Sequence, residues 1–432
     1  MDQQFHKKEI RTLPSLVVSD IRGNLFEIDE YAMLARSGES FVIPDKGSLI
    51  DLPYGSDLHM LPDRYPVGIN RRNGNVVTLK KYRGSKIFAA SAFLPPAYTA
   101  LYLAAYESAE ATAPLPLFAY GALGFKKDGF VSAAIRVDND KRQDCSNFNQ
   151  EEIVVRGKKL LDRFKGNRLT SHLINNCAFN YLCPAARNWV MGRWEAPIPV
   201  SASCNSMCRG CISFQPPDEG MPSTQERISF TPTSQEILEY AVPHLERADR
   251  AIVSFGQGCE GEPLTKASLI EETIRQMRAR TGRGTINLNT NASIPGAVKR
   301  ICEAGLDSIR VSLNSAQHLY YNGYFRPKGY GLDDVIESMK TAKEFGVWIS
   351  VNYFIFPGFT DREDEMEAFT EMIRNTPVDM IQMRNMNFDP EKYLDIINNE
   401  KTSDKSIGIR KWMAEIRKIR PAIRFGYFNP QH

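Results

Sequence analysis

Up to about residue 145 the apolar positions fall in short runs, SLVVSD, NLFEID, NVVTLKKY, KIFAASAFL and FVSAAIRV, separated by Gly, Pro, Asp and Asn. Runs of this length bounded by turn formers predict strands. From Gln150 to about Ala186 the apolar positions recur at helical spacing, as in EEIVVRGKKLLDRF and LTSHLINNCAFNYL. This stretch predicts a helical connector. After Trp194 the two rhythms alternate: the strand-like APIPVSA, AIVSFGQ, TINLNTN, SIRVSLN, WISVNYFIF and MIQMRNMNF are separated by SQEILEYAVPHLERA, TKASLIEETIRQMRA, IPGAVKRICEAG, LDDVIESMKTAKEFG and EDEMEAFTEMIRNT. Such alternation predicts βα units building a parallel sheet. Thr233 with Glu236 and Thr360 with Glu363 have the spacing of capping boxes at two helix starts.

The expected organisation is a β-rich N-terminal domain over 1–148, a helical connector over 149–193, an α/β domain over 194–395 and a helix-and-strand extension over 396–432. In barrels of βα units the chemistry sits at the C-terminal ends of the strands. Those ends are where Gly and polar residues gather here: a cysteine cluster after the first strand, CEGEP after the second, NTN, LNS, FPGFTD and NMNFDP after the others.

Composition narrows the function classes. With 54 basic against 51 acidic residues and a pI of about 8.3, the chain has no strong field for a polyanion, and nothing supports a nucleic-acid partner. The basic runs RRNG and KKYRGSK are short and read as solvated surface. The N-terminal MDQQFHKKEIRTLPS lacks an apolar core, and the most apolar stretch, AASAFLPPAYTALYLAAY, is interrupted by Pro95 and Pro96. A cytoplasmic protein without a membrane span is expected. In that compartment the eight cysteines are reduced, and a cluster among them points to metal binding or catalysis.

The cluster is CNSMCRGC, with Cys204, Cys208 and Cys211 at intervals of four and three. Three thiols without a neighbouring fourth do not make a closed zinc site. An iron–sulfur cube held by three cysteines instead leaves one iron open to a small molecule. The CxxxCxxC form resembles that of the radical S-adenosylmethionine (SAM) superfamily, and the six βα units resemble its partial (β/α)6 TIM-like barrel, over roughly residues 195 to 390. CEGEP, with Gly261, Glu262 and Pro263, is similar to that superfamily's GGEP motif.

The resemblance implies a [4Fe-4S] cluster on Cys204, Cys208 and Cys211, with S-adenosyl-L-methionine chelating the open iron and the Glu262 carboxylate taking its amino group. It further implies reductive cleavage of SAM to a 5′-deoxyadenosyl radical that abstracts hydrogen from a substrate, with reduced ferredoxin or flavodoxin as electron donor. Asn291 and Ser312 stand at strand ends where the superfamily places ribose contacts, Arg384 is positioned for the SAM carboxylate, and Ile355–Gly358 resembles a segment near adenine. The substrate is not legible; the superfamily gives a lean to peptide or protein.

The chain departs from the pattern in places. Gly210 stands where an aromatic residue commonly precedes the third cysteine, so adenine would need another cover, Phe214 or Phe356 being candidates. Glu260 adds an acid to the GGEP-like turn, and Cys259, just before it, reads as a buried structural thiol or a reactive one. Cys145, Cys177 and Cys183 are too irregularly spaced to announce an auxiliary cluster, and Cys302 reads as core. Arg326 and Lys328 of FRPKGY either meet an anion or only shape a loop. SDLHMLP has Pro62 where a cobalamin motif has glycine, and His59 reads as a surface or turn residue. Two alternatives stay open: a SAM-independent iron–sulfur electron-transfer or sensing protein, and a zinc-stabilised module drawing on Cys183 or His172.

Overall fold

A computed structural model describes residues 10–127, 129–399, 403 and 405–432. The chain separates into two compact units, one of residues 1–140, 354–367 and 383–418, the other of 141–353, 368–382 and 419–432.

The first unit is built on antiparallel strands, as the short apolar runs predict. Tyr98–Ala100, Gly129–Arg136, Leu123–Lys126, Ser15–Asp20, Leu25–Met33, Arg64–Asn70 and Tyr106–Ser108 lie side by side in that order, with Ser85–Phe93 also pairing Ser15–Asp20. Alternate positions of these strands bury small apolar groups, among them Val17, Ala90, Ala92, Ala100, Leu123 and Ala134. One expectation fails here. Asp57–Leu61 is a strand paired with Ser85–Phe93, so His59 is no turn residue. Its ring stacks on Phe118 with centroids 4.6 Å apart, and burial lowers its pKa.

The second unit carries the connector and most of the parallel sheet. The connector runs as the helix Gln150–Arg163, the short helix Arg168–His172, a π-helix over Leu173–Asn180 and the helix Pro184–Val190. The sheet has seven strands in sequential order: β1 (Glu195–Ile198), β2 (Ile252–Phe255), β3 (Thr285–Thr290), β4 (Ser308–Leu313), β5 (Trp348–Ile355), β6 (Met380–Asn385) and β7 (Arg424–Gly426). The six expected parallel strands are all present. The seventh, from the C-terminal extension, joins parallel to β6 with Met380 opposite Arg424.

Sequential order with right-handed crossovers puts the helices on one face of such a sheet. Consecutive crossover helices, Ser234–Arg247, Ala267–Arg280, Pro295–Glu303 and Leu332–Glu344, pack against one another. The first starts at the expected capping box, Thr233 accepting from Glu236 N and Glu236 reaching back to Thr233 N. The second expected box does not form. The helix begins at Glu363, and the Thr360 hydroxyl accepts from Phe356 N instead.

The face of the sheet away from the helices is polar, which explains the odd composition of TINLNTN. Ser254, Asn287 and Ser308 are in register and hydrogen-bonded, Asn287 Nδ2 to Ser254 Oγ at 3.4 Å and Ser308 Oγ to Asn287 Oδ1 at 2.8 Å. Asn429 closes the network, donating to Glu195 Oε1 at 3.1 Å while its own Oδ1 accepts from Gln382. Buried amides and hydroxyls are tolerated because each finds partners. Thr285 and His432 bond each other at the starting end of β3, so the C-terminal segment covers that end of the sheet. The strands' C-terminal ends carry the conspicuous polar loops.

Candidate active site

The loop that follows β1 has no regular structure of its own, so its shape comes from what holds it. Glu260, the extra acid of CEGEP, is the first anchor. Its carboxylate accepts from Val200 N at 2.7 Å, Ser201 N at 2.8 Å and Gln257 N at 2.7 Å, and burial pushes its pKa up to about 8. Gly261 N donates to Ser201 O at 2.7 Å and Glu262 N to Ser203 O at 2.9 Å. The two segments lie so close that a Cβ on Gly261 would stand 2.0 Å from Ser203 O. Only glycine fits there.

The other side of the loop is strapped by the end of the helix His318–Phe325 and by the FRPKGY segment that follows it. Arg209 N donates to Tyr324 O at 3.0 Å, Lys328 N to Asn205 O at 2.9 Å, and Ser206 Oγ pairs with Tyr330 OH at 2.7 Å. Arg326, in the left-handed region at φ 47°, pairs with Asp218 at 2.9 Å. Of the two roles open to FRPKGY, the structure shows the loop-shaping one.

Within this frame Cys204, Cys208 and Cys211 are half-buried. Burial raises the thiol pKa of Cys204, with the Glu262 charge adding to it; burial and the neighbouring Cys211 and Cys204 raise that of Cys208 well above its ordinary value. The thiols therefore feel one another. Yet among the described residues they are not a set whose ligand atoms all close to within 4.8 Å, as His172, Cys177 and Cys259 are. Three thiols that share one loop and feel one another suit a cluster that takes three cysteine ligands and leaves one iron open. Arg227, which sequence reasoning missed, donates to Cys211 Sγ at 3.5 Å and to Ser213 Oγ at 3.2 Å. A cation beside a sulfur ligand stabilises its negative charge.

Glu262 is 4% exposed. Its carboxylate accepts from Thr290 Oγ1, from Asn291 N at 2.8 Å and from Leu264 N at 3.0 Å. Burial pushes its pKa up to about 7 against the pull of those donors. A carboxylate has about four lone-pair sites. Three are used, and one is left for a further donor such as an amine. Asn291 in turn donates to Asn205 Oδ1 at 2.8 Å and Ser206 Oγ at 3.2 Å, tying the end of β3 to the cysteine loop. The structure thus joins Cys204, Gly261, Glu262 and Asn291, with Pro263 opening the short turn behind Glu262.

Residues 198–373 match the family model described as the radical SAM superfamily. Over those residues the chain is similar to the radical SAM superfamily. Proteins of this superfamily use a [4Fe-4S] cluster and SAM. Among relatives, molybdenum cofactor biosynthesis protein 1 of Drosophila melanogaster is 29% identical over 197 residues, 45% of this chain and 32% of that protein. The mitochondrial GTP 3′,8-cyclase of Arabidopsis thaliana is 29% identical over 282 residues, covering 62% of this chain and 63% of the relative. A GTP 3′,8-cyclase of Aquifex aeolicus (strain VF5) is 30% identical over 182 residues, 42% of this chain and 53% of the relative. The chain thus spans between about a third and just under two thirds of these relatives' length. Among solved structures, a methylornithine synthase aligns with TM-score 0.37 and 12% identity over 64% of this chain and 75% of that one.

The remaining expected site residues fall out differently. Ser312 is half-buried at the end of β4, opposite Asn352 of β5. Arg384 and the segment Ile355–Gly358 belong to the first compact unit. Phe356 does not serve as an open cover: it is 1% exposed and packs on Tyr393 at 4.9 Å. Phe214 is 46% exposed, with Arg227 over its ring at 5.2 Å. Cys302 is buried in its helix, as expected. His172 lies beside Cys177 and Cys259.

Proposed function

We propose that this chain is a radical SAM enzyme whose sheet forms a partial (β/α)6 TIM-like barrel and whose substrate is a small polar molecule. The observation that carries the reading is the junction of the cysteine loop with Glu262 through Gly261 and Asn291. Cys204, Cys208 and Cys211 would hold three irons of a [4Fe-4S] cluster. Glu262 and the nearby backbone would hold the methionine end of SAM, an ammonium beside a buried carboxylate being a strong, charge-assisted pairing. Reductive cleavage of SAM to a hydrogen-abstracting 5′-deoxyadenosyl radical is the chemistry the pair supplies when bound. Arg227 stabilises negative charge at Cys211. Glu260 keeps the loop in place without touching ligand. Asn291 positions Asn205 and Ser206. Ser312 and Arg384 are proposed as ribose and carboxylate contacts, and reduced ferredoxin or flavodoxin as the cytoplasmic electron source.

The lean to a peptide substrate draws no support from the relatives, two of which are named for acting on GTP. The polar face of the sheet favours a polar small molecule as well, and GTP is the first compound to offer. The test is anaerobic reconstitution with iron and sulfide, reduction with dithionite, and mass spectrometry for 5′-deoxyadenosine from SAM, with Cys208→Ala as control. Cysteine-dependent 5′-deoxyadenosine, stimulated by substrate, is the expected result. A fully loaded cluster that forms none would overturn the reading and favour the SAM-independent sensor.

A further inference from the structure

Cys259 heads the CEGEP turn, and the sequence offers it no partner. The fold does. Cys177, from the π-helix of the connector 82 positions earlier, brings its Sγ to 3.7 Å from Cys259 Sγ. His172 completes the group, and the three ligand atoms all lie within 4.8 Å of one another. Among the described residues this is the only set of three His, Cys, Asp or Glu donors that closes so tightly. Cys177 and Cys259 are 2% and 6% exposed, and His172 Nε2 is buried without a hydrogen-bond partner.

Cys177 shares a thiol–thiol hydrogen bond with Cys259, and the His172 ring also interacts with Cys259. Yet His172 Nε2 is left unpaired, an unusual filling for a core because a buried polar nitrogen normally finds a partner. We propose that His172, Cys177 and Cys259 form a second metal site, a tetrahedral zinc centre with an open fourth position. The geometry agrees with that metal. Thiolates at ~2.3 Å from a tetrahedral zinc stand about 3.8 Å apart, close to the 3.7 Å found here. A disulfide would draw the sulfurs to about 2.05 Å. The ligand set matches zinc by softness too, two thiolates and a neutral imidazole. Binding releases two thiol protons to solvent and leaves the metal at its original oxidation state, so no electron donor is needed.

The backbone around the group suits a fixed site. Short π-helical stretches recur at functional positions, and Cys177 sits in one. Cys177 O accepts from Cys183 N at 2.8 Å and Cys259 O from Ile228 N at 2.7 Å, holding both ligand-bearing segments. His172 also lines a cleft of about 560 Å³ with Asn176, Tyr181, Ser213, Arg227 and Ile228. The centre ties the connector to the turn that carries Glu262, three residues beyond Cys259.

This site does not depend on the radical chemistry, and its test reads metal rather than turnover. The full chain, with its iron–sulfur cluster reconstituted, is supplied with zinc, dialysed against a weak chelator and assayed for metal. About one zinc per chain is expected, falling about tenfold or more in Cys177→Ser and His172→Gln, and unchanged in Cys208→Ala and Cys183→Ser. Zinc-edge X-ray absorption on the unmodified holoenzyme guards against variants that fail to fold. It should show two sulfurs at ~2.3 Å and nitrogen or oxygen at ~2.0 Å. Absence of zinc, a shell of three or more sulfurs, or a Cys177–Cys259 disulfide in anaerobically prepared protein would each overturn the proposal.

Discussion

Glu260 and Ser201 face each other across 2.8 Å, the carboxylate of one accepting the backbone N–H of the other, and this contact aligns the cysteine loop on the turn that carries Glu262. Glu260 also takes Val200 N and Gln257 N. Replacing it by Ala leaves two buried donors and the half-buried Gln257 N without an acceptor, each buried one worth ~1–3 kcal/mol. Glu260→Ala is therefore expected to lose at least about 2 kcal/mol of stability, read by denaturant unfolding, and to reconstitute less iron. A loss below about 1 kcal/mol would remove Glu260 from this role.

Gly261 is constrained by space rather than by its own chemistry. A methyl group there would meet Ser203 O at 2.0 Å, a backbone atom that no rotamer can move. Gly261→Ala is expected to cost on the order of 3 kcal/mol and to push the two segments apart. The measurement pairs thermal unfolding with iron content; normal values for both would mean that the turn relaxes freely.

Glu262 gives a pH dependence with a definite sign. Burial raises its pKa from the ordinary 4.5 to about 7, so the folded state holds a proton that the unfolded state releases above 4.5. Its contribution to stability is full below 4.5 and is lost as pH rises through about 7. SAM binding runs the opposite way, since an ammonium favours the ionised carboxylate. Calorimetry from pH 6 to 8, about one unit either side of 7, should show SAM affinity rising with pH in the parent and flat in Glu262→Gln. The same dependence in both proteins would assign the titration elsewhere.

The strand–helix alternation made the parallel sheet legible, and the cysteine spacing made its site legible, because both are local patterns. What escaped was set by distance along the chain. Nothing near Arg227 says that it reaches Cys211, or that Glu260 is an anchor rather than a spare acid. Cys177 and Cys259 are separated by most of two βα elements. Asp57–Leu61 was hidden for another reason: a histidine and flanking Pro and Ser disguise a strand whose pairing with Ser85–Phe93 supplies the stabilisation.

Arg227 offers the last and sharpest test, because it touches the cysteine loop without being a ligand. Its guanidinium donates to Cys211 Sγ at 3.5 Å and rests over Phe214. Ion pairing and hydrogen bonding to a cluster sulfur raise the reduction potential by stabilising the added electron. Arg227→Gln keeps a donor and removes the charge, so it should load iron normally yet shift the cluster to a more negative potential, by tens of millivolts. Arg227→Lys, which keeps the charge, should recover most of the shift. Potentiometric titration followed by electron paramagnetic resonance reads both. An unchanged potential in Arg227→Gln would reduce Arg227 to a packing residue, since loss of a mere structural contact would alter iron loading rather than potential.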